Sequence, residues 1–309
     1  METLYFLTSG IHKTLPIEEL EALHEIYGCP LSTLSIHNNI VLAKGNALCS
    51  AKVSERAAFI KEVGEVCALA DEDYIVYIKE CEFDKVIKKR LSGAREFSIR
   101  LVPKGKGTIK IMYVEGFAVV GRPISKRKHG KSHKGPFFSP GSMDPLLARA
   151  MVNISRIRSG ERFLDPFCGT GTFAIEASRM GTIAYCSDID PSMVHGSKIN
   201  SEHVGSQVEC IWSDSLSLPF KSNSIDAIAS DPPYGRSVVA WGPSPERLLE
   251  GFLEEASRVL KRGSWLVLAS SENLWLRKKL EDFGFVVHKC HVMRVHRSLT
   301  RVICSAKML

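Results

Sequence analysis

From Arg162 onward the chain alternates short apolar runs with helix-like stretches, and this order constrains the fold more than any other feature. Arg162 to Asp165, Ile183 to Asp188, Val208 to Trp212, Ile225 to Ser230 and Trp265 to Ala269 read as strands. Between them, Ala174 to Met180 (stopped by Gly181), Pro191 to His203, Pro245 to Leu260 and Leu274 to Phe283 read as helices. Such alternation predicts a doubly wound parallel sheet, an α/β fold of Rossmann-like type. Phe285 to Val295 and Arg301 to Met308 are two β-rich runs joined by a short turn, so an antiparallel hairpin is expected at one edge.

In open α/β sheets, ligands bind outside the carboxyl ends of the strands. Two loops there carry chemistry. Phe163 to Phe173 reads strand, glycine loop, helix, with Asp165, Phe167, Cys168, Gly169, Thr170 and Gly171 in the loop. Gly169 and Gly171 let the backbone approach a ligand closely. Asp188, followed by Ile189, ends the next strand, where an acid meets ribose hydroxyls in dinucleotide folds. A nicotinamide dinucleotide is the obvious alternative. The third glycine of that fingerprint is absent, however, and Asp165 and Phe167 crowd the path of a pyrophosphate. An adenosyl ligand with a cationic amino-acid arm fits better, because Asp165 would attract its ammonium. S-adenosylmethionine is therefore the expected cofactor, with Asp214 and Ser215 placed for its adenine.

The second loop is Asp231-Pro232-Pro233-Tyr234, directly after the apolar run ending at Ser230. Proline cannot continue a strand, so an acid, a rigid turn and an aromatic ring are held at the sheet edge. This set suits methylation of the exocyclic amine of a planar base. The lone pair of such a nitrogen is delocalised into the ring. Acceptors on both N–H groups favour a pyramidal, nucleophilic nitrogen. The Asp231 carboxylate and Pro232 carbonyl can be those acceptors, and Tyr234 can stack on the base. The bland alternative is a proline-rich turn with a capping acid. The reaction needs no metal, because a sulfonium is already a strong electrophile.

The chain has 309 residues, enough for two domains, and a net charge of +7. The charge is clustered. Lys104, Lys106, Lys110, Arg122, Lys126, Arg127, Lys128, Lys131 and Lys134 fall in one segment opposed only by Glu115. That pattern points to a polyanion such as RNA, with a solvated basic loop as the alternative. No apolar run is long enough to span a bilayer, and the amino-terminal residues lack the pattern of a signal peptide. The nine cysteines are odd in number and scattered, with no Cys-x-x-Cys pair. This argues against a zinc site or a disulfide framework and for a reducing, cytoplasmic location.

The first half is expected to be α+β. Leu4 to Leu7, Ile40 to Ala43, Tyr74 to Ile78, Phe97 to Val102 and Ile109 to Val120 look β-like, and Pro16 to Tyr27 and Phe83 to Leu91 look helical. A stretch rich in Gly, Pro, Ser and Lys follows. The expected division is a small α+β, ferredoxin-like region over 1–124, a basic linker over 125–141 and a Rossmann-like domain over 142–309.

Asp165 to Gly171, Ser187 to Asp190 and Asp231 to Arg236 together resemble the class I N2-guanine methyltransferases of RNA. Pro136-Phe137-Phe138-Ser139-Pro140-Gly141-Ser142-Met143 and Val295-His296-Arg297-Ser298-Leu299-Thr300-Arg301 narrow the resemblance to the archaeal tRNA guanine-10 N2-methyltransferase family. The match runs over roughly 136–308. It implies a THUMP module in the first half, S-adenosylmethionine as cofactor and tRNA as partner, with one or two methyls placed on N2 of a guanine. It implies Asp231 and Pro232 at the amine, Tyr234 at the base and Asp188 at the ribose. A small activating subunit is compatible with it, and the catalytic half is expected to be a monomer. Lys126, Arg127, Lys128, Lys131 and Lys134 are expected to grip RNA. Arg236, Arg294 and Arg297 are expected to reach phosphates at the rim of the site. The rival readings are an N6-adenine methyltransferase and a non-catalytic RNA-binding protein of the same fold.

Overall fold

The computed structural model describes residues 1–91, 93–127, 135–233, 243–296 and 299–309. It divides into two compact units, Met1–Gly130 and Lys131–Leu309.

The first unit opens with β1 (Glu2–Thr8), α1 (Leu15–Ile26), β2 (Leu31–His37), β3 (Ile40–Gly45), α2 (Ala47–Arg56) and β4 (Ile60–Ala70). Four more strands follow: β5 (Ile75–Tyr77), β6 (Lys85–Arg90), β7 (Thr108–Val114) and β8 (Phe117–Lys126). The sheet order is β2-β3-β1-β4-β8-β7-β6, with β5 paired to β4. Its first four strands form a β-α-β-β-α-β arrangement. One face buries Leu4, Phe6, Val41, Ala43 and Val63 against Leu20 and Leu23 of α1 and Val53 of α2. Tyr5 points the other way and lies across Gly64 and Gly121. A Cβ on either glycine would sit 2.3 Å or 2.5 Å from its ring, so these strand glycines are there to admit the tyrosine.

Two expectations for this unit are corrected. Phe83 to Leu91, expected helical, is the exposed edge strand β6, paired parallel to β7. The basic stretch is not wholly a linker. Lys126 closes β8 opposite Glu62, and the Arg127 N–H donates to the Lys61 carbonyl at 3.0 Å while its guanidinium donates to the Ala58 carbonyl. The cysteine expectation also fails. Cys29–Cys49, Cys67–Cys81 and Cys290–Cys304 are paired as disulfides, and the last two partners face each other in register on neighbouring strands. Residues 14 or 20 apart in sequence meet only once the strands and helices are arranged, so spacing alone could not reveal them.

The second unit contains α3 (Pro145–Ile154), β9 (Arg162–Asp165), α4 (Thr172–Ser178), β10 (Ile183–Asp188), α5 (Pro191–His203), β11 (Val208–Trp212) and β12 (Ile225–Ser230). It continues through α6 (Pro245–Val259), β13 (Leu260–Ser271), α7 (Leu276–Asp282), β14 (Phe285–His296) and β15 (Leu299–Met308). The sheet order is β11-β10-β9-β12-β13-β15-β14. β9 to β13 are parallel, and β15 is antiparallel to both of its neighbours. The hairpin therefore lies at one edge, and β14 runs in the same direction as β13. The helices start on good caps. The side chains of Asp144, Asp190 and Ser244 accept backbone N–H groups, and each helix then has proline in its first turn. The core packs Leu164, Ile228, Leu266 and Leu268 of the sheet against Leu249, Phe252, Leu253 and Ala256 of α6. No helix among the described residues is long and apolar enough to cross a membrane.

Candidate active site

The parallel strands deliver their acids to one edge. Asp165 follows the apolar residues of β9, Asp188 ends β10 and Asp231 follows β12, which neighbours β9.

The glycine loop joins β9 to α4. Gly169 and Gly171 hold φ angles of +49° and +81°, which a side chain would strain. A Cβ on Gly171 would also come within 3.0 Å of the Ser197 side chain on α5, so this glycine is required for packing. A Cβ on Gly169 would meet nothing within 4 Å, so that side of the loop faces open space.

Asp165 is fully buried. Its Oδ1 accepts from Ser230 Oγ at 2.6 Å and from the Phe167 N–H at 3.3 Å. Its Oδ2 has no partner among the described residues. Burial pushes this carboxyl up to about 7, with the nearby Asp188 and Asp231 charges adding to the rise and the Ser230 and Phe167 bonds opposing it. A buried acid with an orphaned oxygen beside open space is a seat for a cation.

Asp188 has a bracing role that spacing did not show. Its Oδ2 accepts from the Gly169 N–H at 2.9 Å and its Oδ1 from the Asp190 N–H at 3.0 Å. Burial raises its carboxyl against these two bonds. Each oxygen keeps a lone pair for a further donor. Ile189 beside it is exposed, and the indole of Trp212 donates to the Ile189 carbonyl at 2.9 Å. The Ser213 N–H donates to the Asp188 carbonyl at 3.2 Å, which brings the Asp214–Ser215 loop to the same edge. Asp214 itself caps its own turn, taking the Leu216 N–H at 2.9 Å, and Ser215 is buried.

Cys168 is buried, with its thiol 3.4 Å from Ser197 Oγ. Phe167 meets Phe252 of α6 edge-on at 5.0 Å. Thr170 Oγ1 donates to Ser142 Oγ at 3.2 Å. Asn200, a buried amide on α5, donates to the Thr170 carbonyl at 3.0 Å and the Phe137 carbonyl at 2.9 Å, and accepts the Phe137 N–H at 2.9 Å. Residues 136–143 are thus fastened onto the cofactor loop. The sequence held a signal for this, a polar residue inside an otherwise ordinary helix, but its partners lie 30 and 63 residues away.

Asp231 is largely buried, and its Oδ2 accepts from Arg301 Nη2 at 3.2 Å. Pro232 is buried behind it and Pro233 is exposed. Ser230 is a site residue that motif reasoning did not single out, and Arg301 stood in the Val295–Arg301 motif with no role assigned to it. Tyr234 and Arg236 lie outside the described residues, as do Lys128, Lys131, Lys134 and Arg297. Lys126 is exposed and Arg127 half-buried. Arg294 is exposed near the end of β14, on the edge that carries Asp231.

Residues 133–303 match the family described as RMKL-like, methyltransferase domain. A protein of Methanothermobacter thermautotrophicus named tRNA (guanine(10)-N2)-dimethyltransferase is 34% identical over 96% of this chain and 97% of its own length. The chain belongs to the archaeal tRNA guanine-10 N2-methyltransferase family. A Pyrococcus abyssi protein of the same name is 37% identical over 55% of the methyltransferase described here and 51% of its own length. A Saccharomyces cerevisiae tRNA (guanine(10)-N(2))-methyltransferase is 31% identical over 38% of this methyltransferase and 30% of its own length. Among solved structures, TrmN from Thermus thermophilus superposes with a TM-score of 0.58 over the whole of both chains at 18% identity, a likeness of fold.

Proposed function

We propose that this methyltransferase transfers a methyl group from S-adenosylmethionine to N2 of guanine 10 in tRNA, once or twice. The observation that carries this reading is the placement of Asp231 and Pro232 beside the glycine loop, at the carboxyl edge of adjacent strands.

The residues fit the cofactor. The orphaned Oδ2 of Asp165 suits its ammonium, and the space over Gly169 admits its backbone. Asp188 would take the ribose hydroxyls. Ile189, Asp214 and Ser215 would border the adenine, and Phe167, Cys168, Thr170 and Gly171 would shape the wall. Bound S-adenosylmethionine supplies a methyl on an electrophilic sulfonium.

The chain's own work is to place the amine. Asp231 and the Pro232 carbonyl accept its two N–H groups and localise the lone pair on nitrogen. Held in line with the methyl carbon, the amine needs little further activation. The surplus proton leaves toward Asp231. A paired guanine would have to be extruded from its stem, and Tyr234 would replace the lost stacking. The first unit, read as a THUMP-type module with Lys126 and Arg127 at the end of its sheet, would hold the tRNA backbone. We take the catalytic unit to act as a monomer. A cytoplasmic location goes with a tRNA substrate.

Nucleoside mass spectrometry of unmodified tRNA after incubation with the protein and cofactor tests the reading. N2-methylated guanosine at position 10 is expected. N6-methyladenosine in place of it would return the reaction to the rival class, and an unmodified product would leave only binding.

The Asp165 carboxyl gives a pH dependence. Near pH 7 it is about half protonated in the cofactor-free protein, and an ammonium favours the carboxylate. The proton is held below that pH and lost above it. Cofactor affinity should therefore fall as pH drops from about 7 to about 5, by at most roughly tenfold per unit, with proton release on binding near neutrality. Calorimetry in buffers of different ionisation heat measures both. Asp165→Asn should weaken binding and flatten the profile. A flat profile in the parent protein would take Asp165 away from the ammonium.

A further inference from the structure

Arg301 is placed by the fold rather than by any motif of the cofactor or amine sites. It lies on β15, opposite Ser271 of β13 and Met293 of β14. β13 stands between β15 and β12, so the loop carrying Asp231 is two strands away, about 10 Å across the sheet. An extended arginine covers that distance. Its Nη2 donates to Asp231 Oδ2 at 3.2 Å, and its Nη1 lies 3.7 Å from the sulfur of Met143. Only 12% of the Arg301 side chain is exposed, against 14% for Asp231. This is unlike an arginine that waits in solvent for a phosphate. Both ends of the planar fork are occupied, one by the acid and one by the segment fastened to the cofactor loop.

We propose that Arg301 is the positioning residue of the methyl transfer, holding the Asp231 carboxylate in the rotamer that faces the amine. The proposal rests on the reading of Asp231 as an acceptor for that amine. A free carboxylate rotates about two torsions, and each wrong rotamer turns its oxygens away from the N–H. A charge-assisted bond to one oxygen fixes both torsions and leaves the other oxygen for substrate. The guanidinium is in turn kept from swinging by Met143, which is buried. Asp165 also stands near, close enough for its own carboxyl to be raised by the Asp231 charge. Arg301 is a cation that the structure pairs with Asp231 against that repulsion. A lysine at position 301 keeps the charge but loses the fork.

The test compares Arg301→Met and Arg301→Lys in the full chain, with an unmodified tRNA transcript and S-adenosylmethionine, alone and combined with Asp231→Asn. Arg301→Met should lower kcat by about 100-fold, the scale of a misplaced catalytic group. Dissociation constants for cofactor and tRNA should stay within about threefold of the parent, since neither is contacted. Arg301→Lys should recover kcat only in part, to about tenfold below the parent, because it restores charge without the fork. In the Asp231→Asn background, read in single turnover, Arg301→Met should change the rate by less than about threefold, because the carboxylate charge that the guanidinium holds is already gone. An Arg301→Met enzyme with parental kcat overturns the proposal. So does an unchanged kcat with weakened tRNA binding, which would make Arg301 a phosphate contact. So does an equal loss in both backgrounds. If Arg301→Met does not fold, the kcat of Arg301→Lys decides, and a parental value again overturns it. Should Asp231→Ala itself prove active, the reading of Asp231 fails, and that result is separate from every outcome above.

Discussion

Asp231→Ala should nearly abolish methyl transfer, taking kcat below about a tenth of the parent value, since one oriented contact of this kind contributes a few kcal/mol to a transition state. The reason is geometric. Asp231 follows the last residue of β12, next to β9 and its glycine loop, so its carboxylate stands beside the loop proposed to hold the cofactor. Pro232 behind it is buried, which fixes the turn. Cofactor affinity should remain within about fivefold, because Asp165 and Asp188 come from other strands and keep their own partners. The substitution also removes the Asp231 carboxylate from Arg301, which is 12% exposed, and loss of a buried charge partner destabilises the fold. Melting should therefore be recorded beside kinetics. Asp231→Asn, which keeps the shape and one acceptor, separates the two effects. A variant that folds and keeps more than about a tenth of the rate would remove Asp231 from the amine.

Asp188→Ala should weaken S-adenosylmethionine binding by roughly 2 kcal/mol or more, because charge-assisted bonds to ribose hydroxyls are lost. The structure adds a second cause. The same carboxylate accepts the Gly169 and Asp190 N–H groups, so its removal also loosens the loop that lines the cofactor. Asp188→Asn distinguishes the causes. Its amide oxygen can keep one backbone bond while one side becomes a donor, so a loss between those of parent and alanine would point to loop bracing. Calorimetry showing unchanged affinity in Asp188→Ala would move the ribose elsewhere.

The second unit was legible because its parallel strands are short apolar runs set between clear stops. The bounds of β9, β10, β11 and β12 and of α5 coincide with the sequence reading, since Gly181, Asp190-Pro191 and Asp231-Pro232 mark them. The first unit was harder. In β6, Lys85, Lys88 and Lys89 fall at spacings that mimic one face of a helix, and only the partner strand β7 decides for a strand. In β4, Glu62, Gly64 and Glu65 hide the strand pattern. Those acids are tolerated in a central strand because Glu62 meets Tyr5 Oη at 2.8 Å and Lys110, while Glu65 pairs with Lys79 and Arg122. Partners so distant in sequence cannot be read along the chain. Arg301 escaped for the same reason. Its role follows from β15 being inserted between β13 and β14, and strand order is a property of the assembled sheet.

The bond between Asp165 and Ser230 joins residues 65 apart, and that between Arg301 and Asp231 joins residues 70 apart. No local piece of chain can assemble the whole of this site. Closing loops of that length costs entropy before any contact repays it, and sheets built from such pairings fold slowly. Catalytic competence is thereby tied to the last stage of folding. A chain with its helices formed and its central strands still apart has no place for cofactor and no acceptor for the amine. Partly folded molecules are thereby kept from methyl transfer by the topology alone.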